Sequence, residues 1–294
     1  MSTPAPHAAL LAAVPRRERV VEVLGSRTRL VEYGPSDAAT TVLVVHGFRG
    51  DHHGLEPVVA RLPHLRILAP DLPGFGASTP FPDRPHDIDG YAAWLNALVA
   101  AEGLTGEAVL LGHSFGTIVV SAAVALGMPT PSVILVNPIG APALSGPRGV
   151  LTRAAIGFYR LGAALPERAG FAVLRSRVVT RVMSVSMAKT GDKDLRRWIH
   201  AEHDRYFSGF ANRDMLLEAF RASVSHDVSE YAERVTPRTL LVAATLDDIT
   251  PIEAQRRLVT LFPDARLVEI ADVGHLIHYE KPAEAAEAIA EFLA

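Results

Sequence analysis

The chain has no cysteine. Disulfides, thiolate nucleophiles and cysteine-based zinc sites are therefore excluded. It also lacks any run of about 18 uninterrupted apolar residues, so no integral membrane segment is expected. Neither sign of charge dominates: 29 Lys and Arg against 32 Asp and Glu leave a net charge of −3. Such a chain has no general attraction for nucleic acid or for an anionic membrane. A leader pattern is missing too. The Ala/Leu run in "MSTPAPHAALLAAVPRRERV" is followed by its basic pair, Arg16 and Arg17, whereas a secretory signal carries basic residues first. A cytoplasmic protein with a short N-terminal arm, residues 1–18, is the expectation.

Hydrophobic residues make up 49% of the 294 positions and charged residues 21%. That balance builds a packed globular protein, as one large domain or one domain carrying an insertion. Eight short apolar or β-rich runs recur along it: 19–25, 28–34, 41–47, 66–74, 108–114, 132–138, 239–245 and 265–272. The first two read as an opening strand pair joined at Gly25-Ser26. The later ones are continuously apolar, as strands covered on both faces of a parallel sheet should be. Helical patterns lie between them. One is "GYAAWLNALVAAEG", with Tyr91, Trp94, Leu95 and Leu98 on one face. A second is "GTIVVSAAVALG", which ends in Gly127, and a third is the tail after Pro282. Strand–helix alternation of this kind predicts a doubly wound α/β sheet.

The alternation stops over 141–236. Stretches such as "RGVLTRAAIGFYRLGAALP" and "DLRRWIHAEHDRYFSGF" read as helices, and so long a segment is not a bare loop in a compact domain. It is expected to be a helical cap over the C-terminal edge of the sheet, where open α/β sheets bind ligands. The sheet core would then comprise 19–140 and 237–294.

Three strand ends carry chemistry. In "LLGHSFGTIVV" Ser114 has glycine two residues to either side, Gly112 and Gly116. A strand that turns sharply into a helix forces the turn residue to positive φ, and its neighbours two away crowd each other so that only small residues fit. The serine is thereby lifted clear, with the N–H of Phe115 pointing to the same place. A hydroxyl needs a base, and the base an orienting acid. "LLVAATLDDITP" offers the acid at Asp247, with Asp248 as competitor. "IADVGHLIHYEKP" offers the base at His275, with His278 three residues on. "VVHGFRGDHHG" ends the third strand and offers the N–H of Phe48 as a second oxyanion donor. Adjacent Asp51, His52 and His53 are not expected to hold a metal, because neighbouring histidines do not share a helical face and no matching acid cluster accompanies them. No cofactor is expected either: the glycine-rich stretches do not follow the dinucleotide pattern after the first strand.

Taken together, His46-Gly47-Phe48, "DLPGFGAS" (71–78), Gly112 to Gly116, Asp247 ahead of Ile249-Thr250-Pro251, and Gly274-His275 resemble the α/β-hydrolase family over nearly the whole chain. The resemblance implies an eight-stranded, mostly parallel sheet with a helical cap after strand six. It implies Ser114 as nucleophile, His275 as base, Asp247 as orienting acid and the Phe48 and Phe115 N–H groups as oxyanion hole. Some relatives carry the acid after strand six. Here that position is near Asn137, which does not ionise. Epoxide hydrolases and haloalkane dehalogenases of this fold use an aspartate nucleophile, so Ser114 points away from both. The chain departs from the family at Ala244, where glycine is usual.

The expected cap, taken as 141–228, holds fourteen Lys and Arg against eight Asp and Glu. That excess suits an acidic substrate or an anionic surface. Within it, Arg197-Trp198 resembles the arginine–tryptophan pair with which carbon–carbon bond hydrolases of ring-fission products hold a substrate carboxylate. His113 before the nucleophile and Leu276 after the base stand where those enzymes usually carry Asn and Trp. The expected substrate is a small or medium carboxylic ester, in one version a monoester with a free carboxylate, contacted by Arg197, Trp198 and His113. The alternatives are carbon–carbon cleavage of a vinylogous diketo acid and ligand binding without turnover.

Overall fold

The structure, a computed structural model, describes residues 5–141 and 149–294. Residues 1–4 of the expected arm and 142–148 of the expected cap lie outside them. Eight strands form one sheet in the order β1-β2-β4-β3-β5-β6-β7-β8. They are β1 (Arg16–Val23), β2 (Ser26–Tyr33), β3 (Thr41–Val45), β4 (Arg66–Pro70), β5 (Val109–His113), β6 (Ser132–Val136), β7 (Arg238–Ala244) and β8 (Ala265–Ile270). Only β2 runs against its neighbours; the rest of the ladder from β4 to β8 is parallel. Strand β1 begins at Arg16, inside the stretch expected to be arm. It turns into β2 through Leu24 and Gly25, both at positive φ (51° and 78°), with Val23 paired to Ser26. That two-residue turn matches the right-handed twist of the strands it joins.

Twelve helices accompany the sheet among the described residues. They are α1 (Ala8–Ala12), α2 (Glu56–Val59), α3 (Ile88–Ala101), α4 (Phe115–Ala125), α5 (Gly149–Ala164), α6 (Glu167–Leu174), α7 (Arg177–Met187), α8 (Lys193–Tyr206), α9 (Arg213–Ser225), α10 (Ile252–Leu258), α11 (Ile277–Glu280) and α12 (Pro282–Leu293). Alternate strand residues face opposite sides, and the core divides accordingly. Leu43, Val45, Leu110, Val133 and Leu241 pack with α3 and α4. Val42, Val44, Leu111, Ile134 and Val242 pack with α2 and α12. The central strands are buried along almost their whole length, which is why they read as unbroken apolar runs.

Helices α5 to α9 all fall between β6 and β7. Residues of α7 and α8 share a cavity wall with residues that follow β3, β5 and β7. Phe210, at 4% exposure, bridges to Phe75 beside β4. Leu174, Met215 and Leu216 join the same core cluster as the sheet. No helix among the described residues is long and apolar enough to cross a membrane.

Candidate active site

The turn from β5 into α4 is where the two glycines act. Ser114 sits at φ 52°, ψ −118°, a left-handed backbone that costs a residue with a Cβ about 1 kcal/mol or more. A methyl at Gly112 would lie 2.5 Å from the Gly116 carbonyl oxygen, and one at Gly116 would lie 2.1 Å from that of Val45. The turn is therefore closed to any larger residue at either position. Its reward is a partly exposed hydroxyl in an otherwise buried surround.

His275 Nε2 lies 2.9 Å from Ser114 Oγ, and His275 Nδ1 lies 2.7 Å from Asp247 Oδ2. The three residues come from the ends of β5, β7 and β8, and the parallel order of the sheet brings them to one rim. Asp247 is 5% exposed. Burial alone would raise its pKa, but His275 and the Thr250 hydrogen bonds outweigh this and hold it well below the usual carboxylate range. The N–H groups of Ile249 (2.7 Å) and Thr250 (3.1 Å) donate to Oδ1, while the Thr250 hydroxyl (2.7 Å) and Asn137 Nδ2 (3.0 Å) donate to Oδ2. Asp248, the competing candidate, is largely exposed and pairs with Lys189. His278, the competing base, is buried on α11 against His113, ring centroids 4.2 Å apart.

The loop after β3 approaches the serine closely: a methyl at Gly47 would stand 3.2 Å from Ser114 Cβ. His46 anchors that loop. Its Nδ1 lies 2.8 Å from the Gly47 carbonyl and its Nε2 accepts from the Leu72 N–H at 2.8 Å. Burial lowers the pKa of His46, so it stays neutral and serves both bonds. Among the described residues, the N–H groups of Phe48 and Phe115 donate to no protein acceptor. The two rings are packing groups, edge to face at 6.4 Å.

A cavity of about 150 Å³ opens at Ser114. His113, Phe48 and Leu276 line it from the sheet side, Met183 and Met187 from α7, and Glu202, His203, Tyr206 and Phe207 from α8 and its end. Among the described residues no Lys or Arg lines it, and its acidic members are Asp51 and Glu202. Burial raises the Glu202 pKa. This corrects two expectations. Arg197 points into solvent, its side chain 69% exposed and paired with Asp194. Trp198 is buried, but against His7 and Tyr279 and not in the cavity wall. The face of α8 turned to the cavity carries Glu202, His203 and Tyr206, a turn or more beyond Arg197 and Trp198. That spacing was present in "HAEHDRYF". His113 does line the cavity, and burial depresses its pKa to about 3.

Asp51, His52 and His53 bring their ligand atoms within 4.8 Å of one another. The His52 and His53 Nδ1 atoms already lie within hydrogen-bond reach of Asp71 (2.7 Å) and Asp51 (3.0 Å). Arg49, fully buried at φ 62°, reaches from the β3 loop into the helical insertion. It donates to the Phe207 and Leu174 carbonyls (2.8 and 2.9 Å) and the Tyr159 hydroxyl (3.2 Å). Sequence reading passed over Arg49, since an arginine in a loop ordinarily faces water.

Comparison with known proteins fits this geometry. A polyketide synthase, ThaQ, of Burkholderia thailandensis is 29% identical over 228 residues, 72% of this chain but 10% of that protein. Lipase LipV of Mycobacterium tuberculosis is 37% identical over 117 residues, 40% of this chain and 42% of the lipase. The chain thus spans less than half of either relative. Among solved structures, a thermophilic esterase from Thermogutta terrifontis superposes with a TM-score of 0.74 at 22% identity, covering 94% of this chain and 98% of that one. An enol-lactonase from Burkholderia xenovorans does so with a TM-score of 0.77 at 19% identity, covering 94% and 99%. A family profile described as the alpha/beta hydrolase family matches residues 42–288, and with the sheet order and the strand-end residues in place, the chain belongs to the alpha/beta hydrolase family.

Proposed function

We propose that the protein is a serine esterase that cleaves small or medium uncharged carboxylic esters through an acyl-enzyme. The observation that carries this reading is the unbroken hydrogen-bonded series Ser114–His275–Asp247 at the floor of a cavity whose wall presents mostly apolar surface. Ser114 Oγ attacks the ester carbonyl as His275 Nε2 takes its proton. Asp247 holds the Nδ1–H and stabilises the imidazolium. The N–H groups of Phe48 and Phe115 receive the developing oxyanion. His275 then protonates the departing alcohol, and a water deprotonated by the same imidazole hydrolyses the acyl-serine.

The choice of an uncharged ester follows from the cavity wall. A carboxylate-bearing substrate would meet Asp51 and Glu202 with no lining cation among the described residues, and Arg197 is turned away. The same placement takes away the carboxylate contact that carbon–carbon cleavage of a diketo acid would use. Ser114→Ala is expected to lower kcat for nitrophenyl butyrate by at least about a thousandfold and to abolish labelling by a fluorophosphonate. Retained turnover in that variant would falsify the reading, and an unlabelled wild type would favour ligand binding without turnover. Between matched nitrophenyl esters, the neutral acyl chain should give the higher kcat/KM. A preference for the hemisuccinate would restore the anionic substrate.

A further inference from the structure

Helix α7 has two unlike faces. Met183 and Met187 line the cavity, and Thr180 and Ser184 are buried. On the opposite side Val178, Val182 and Val185 are 73%, 64% and 58% exposed. Spacing of four and three residues stacks them in one stripe along the helix. Single exposed apolar residues are ordinary, whereas an aligned set marks a contact surface. Arg177 and Arg181 flank the stripe and form a shallow groove with Val178, Val182 and Asp204, whose carboxylate pairs with both arginines and leaves the groove one net positive charge. Near the end of the helix, Ile249 at the cavity rim and Leu246 are each 50% exposed.

Charge singles out one class of occupant. Residues 141–228 carry fourteen Lys and Arg against eight Asp and Glu, although the whole chain is net negative. A second copy of the chain, docked by a two-fold contact, would set this basic surface against itself. An anionic phospholipid surface presents the complementary sign, and exposed apolar side chains with basic residues beside them are the pattern of a helix lying in a headgroup layer.

We propose that the helical insertion docks on anionic phospholipid bilayers through the outer face of α7. The docking stands independently of the esterase reading. Its test is co-sedimentation with vesicles of phosphatidylcholine alone and of phosphatidylcholine with phosphatidylglycerol. Wild type should pellet with the anionic vesicles and be released by salt, since headgroup attraction is screened. Val178→Asp/Val182→Asp should lower the bound fraction about tenfold or more, and the milder Val178→Ser/Val182→Ser should lower it less. Both should keep wild-type melting and wild-type rates on a soluble nitrophenyl ester. Ser114→Ala should bind vesicles like wild type, so lost hydrolysis with retained binding touches only the esterase reading. Three results would overturn docking: wild type left in the supernatant, the aspartate variant pelleting equally, or a wild-type dimer in solution that this variant dissociates.

Discussion

At the residue scale the most informative partner is Asn137. It sits at φ 46° at the end of β6 and donates to the same Asp247 oxygen that lies 2.7 Å from His275 Nδ1. Sequence reading saw only that asparagine does not ionise. The structure adds that the amide neutralises part of the field on a buried carboxylate. A carboxylate moved to 137 would stand beside the imidazole from a second strand. Asp247→Asn alone is expected to lower kcat about a thousandfold or more, through loss of the oriented tautomer. Asn137→Asp alone would crowd two buried carboxylates together and cost about 2–3 kcal/mol of stability. The double exchange should recover at least about tenfold in kcat over Asp247→Asn, read by steady-state kinetics with urea melts as the fold control. No recovery would mean that Asn137 does not reach the imidazole. The triad candidates were legible because each follows an apolar strand. Arg197-Trp198 was misread because sequence adjacency carries no information on which helix face a residue occupies.

At the element scale the strands were the legible part, and their physics explains it. All eight expected runs appear as strands; burial on both faces leaves the central ones no polar position to blur them, whereas β1 and β8, at the sheet edges, are largely unburied. The insertion was legible only as helical. Helix α7 contains Val178, Val179 and Thr180, a β-branched series that favours strand when read alone. Helix α6 carries Gly170 in its interior, tight against the Gly162 carbonyl. Tertiary packing decides both. The β5–α4 turn is the element most exposed to mutation. Gly116→Ala would drive a methyl into the β3 backbone at Val45 and His46, displacing the loop that carries Phe48. The expected outcome is a loss of about 3 kcal/mol or more in urea unfolding, with activity falling alongside. A stable and fully active alanine variant would show that the β3 loop shifts freely, contrary to its anchoring by His46.

At the scale of the whole molecule, buried imidazoles link the sheet, the loops and the insertion, and they set an acid limit on stability. His46 lies behind the β3 loop, His113 ends β5, His278 lies on α11 and His203 on α8. Burial lowers the pKa of each, to about 3 for His113 and His203. In the unfolded chain the same side chains titrate near about 6.5. Between those values the unfolded state binds protons that the folded state refuses, so unfolding becomes easier as pH falls. Each such group can remove up to about 1.4 kcal/mol per pH unit in that window. Stability should therefore be high and flat above about pH 7 and decline steeply from about pH 6 to about pH 4, before most exposed carboxylates protonate. Thermal melts at fixed ionic strength across that range give the check. His203→Asn should flatten the decline, because it removes one group that the insertion holds neutral beside Ser184, 2.7 Å from its Nδ1. A wild-type profile already flat down to about pH 4.5 would mean that these imidazoles accept protons in the folded state. The packing that joins α8, α11 and the β5 end would then be looser than the burial of its histidines implies.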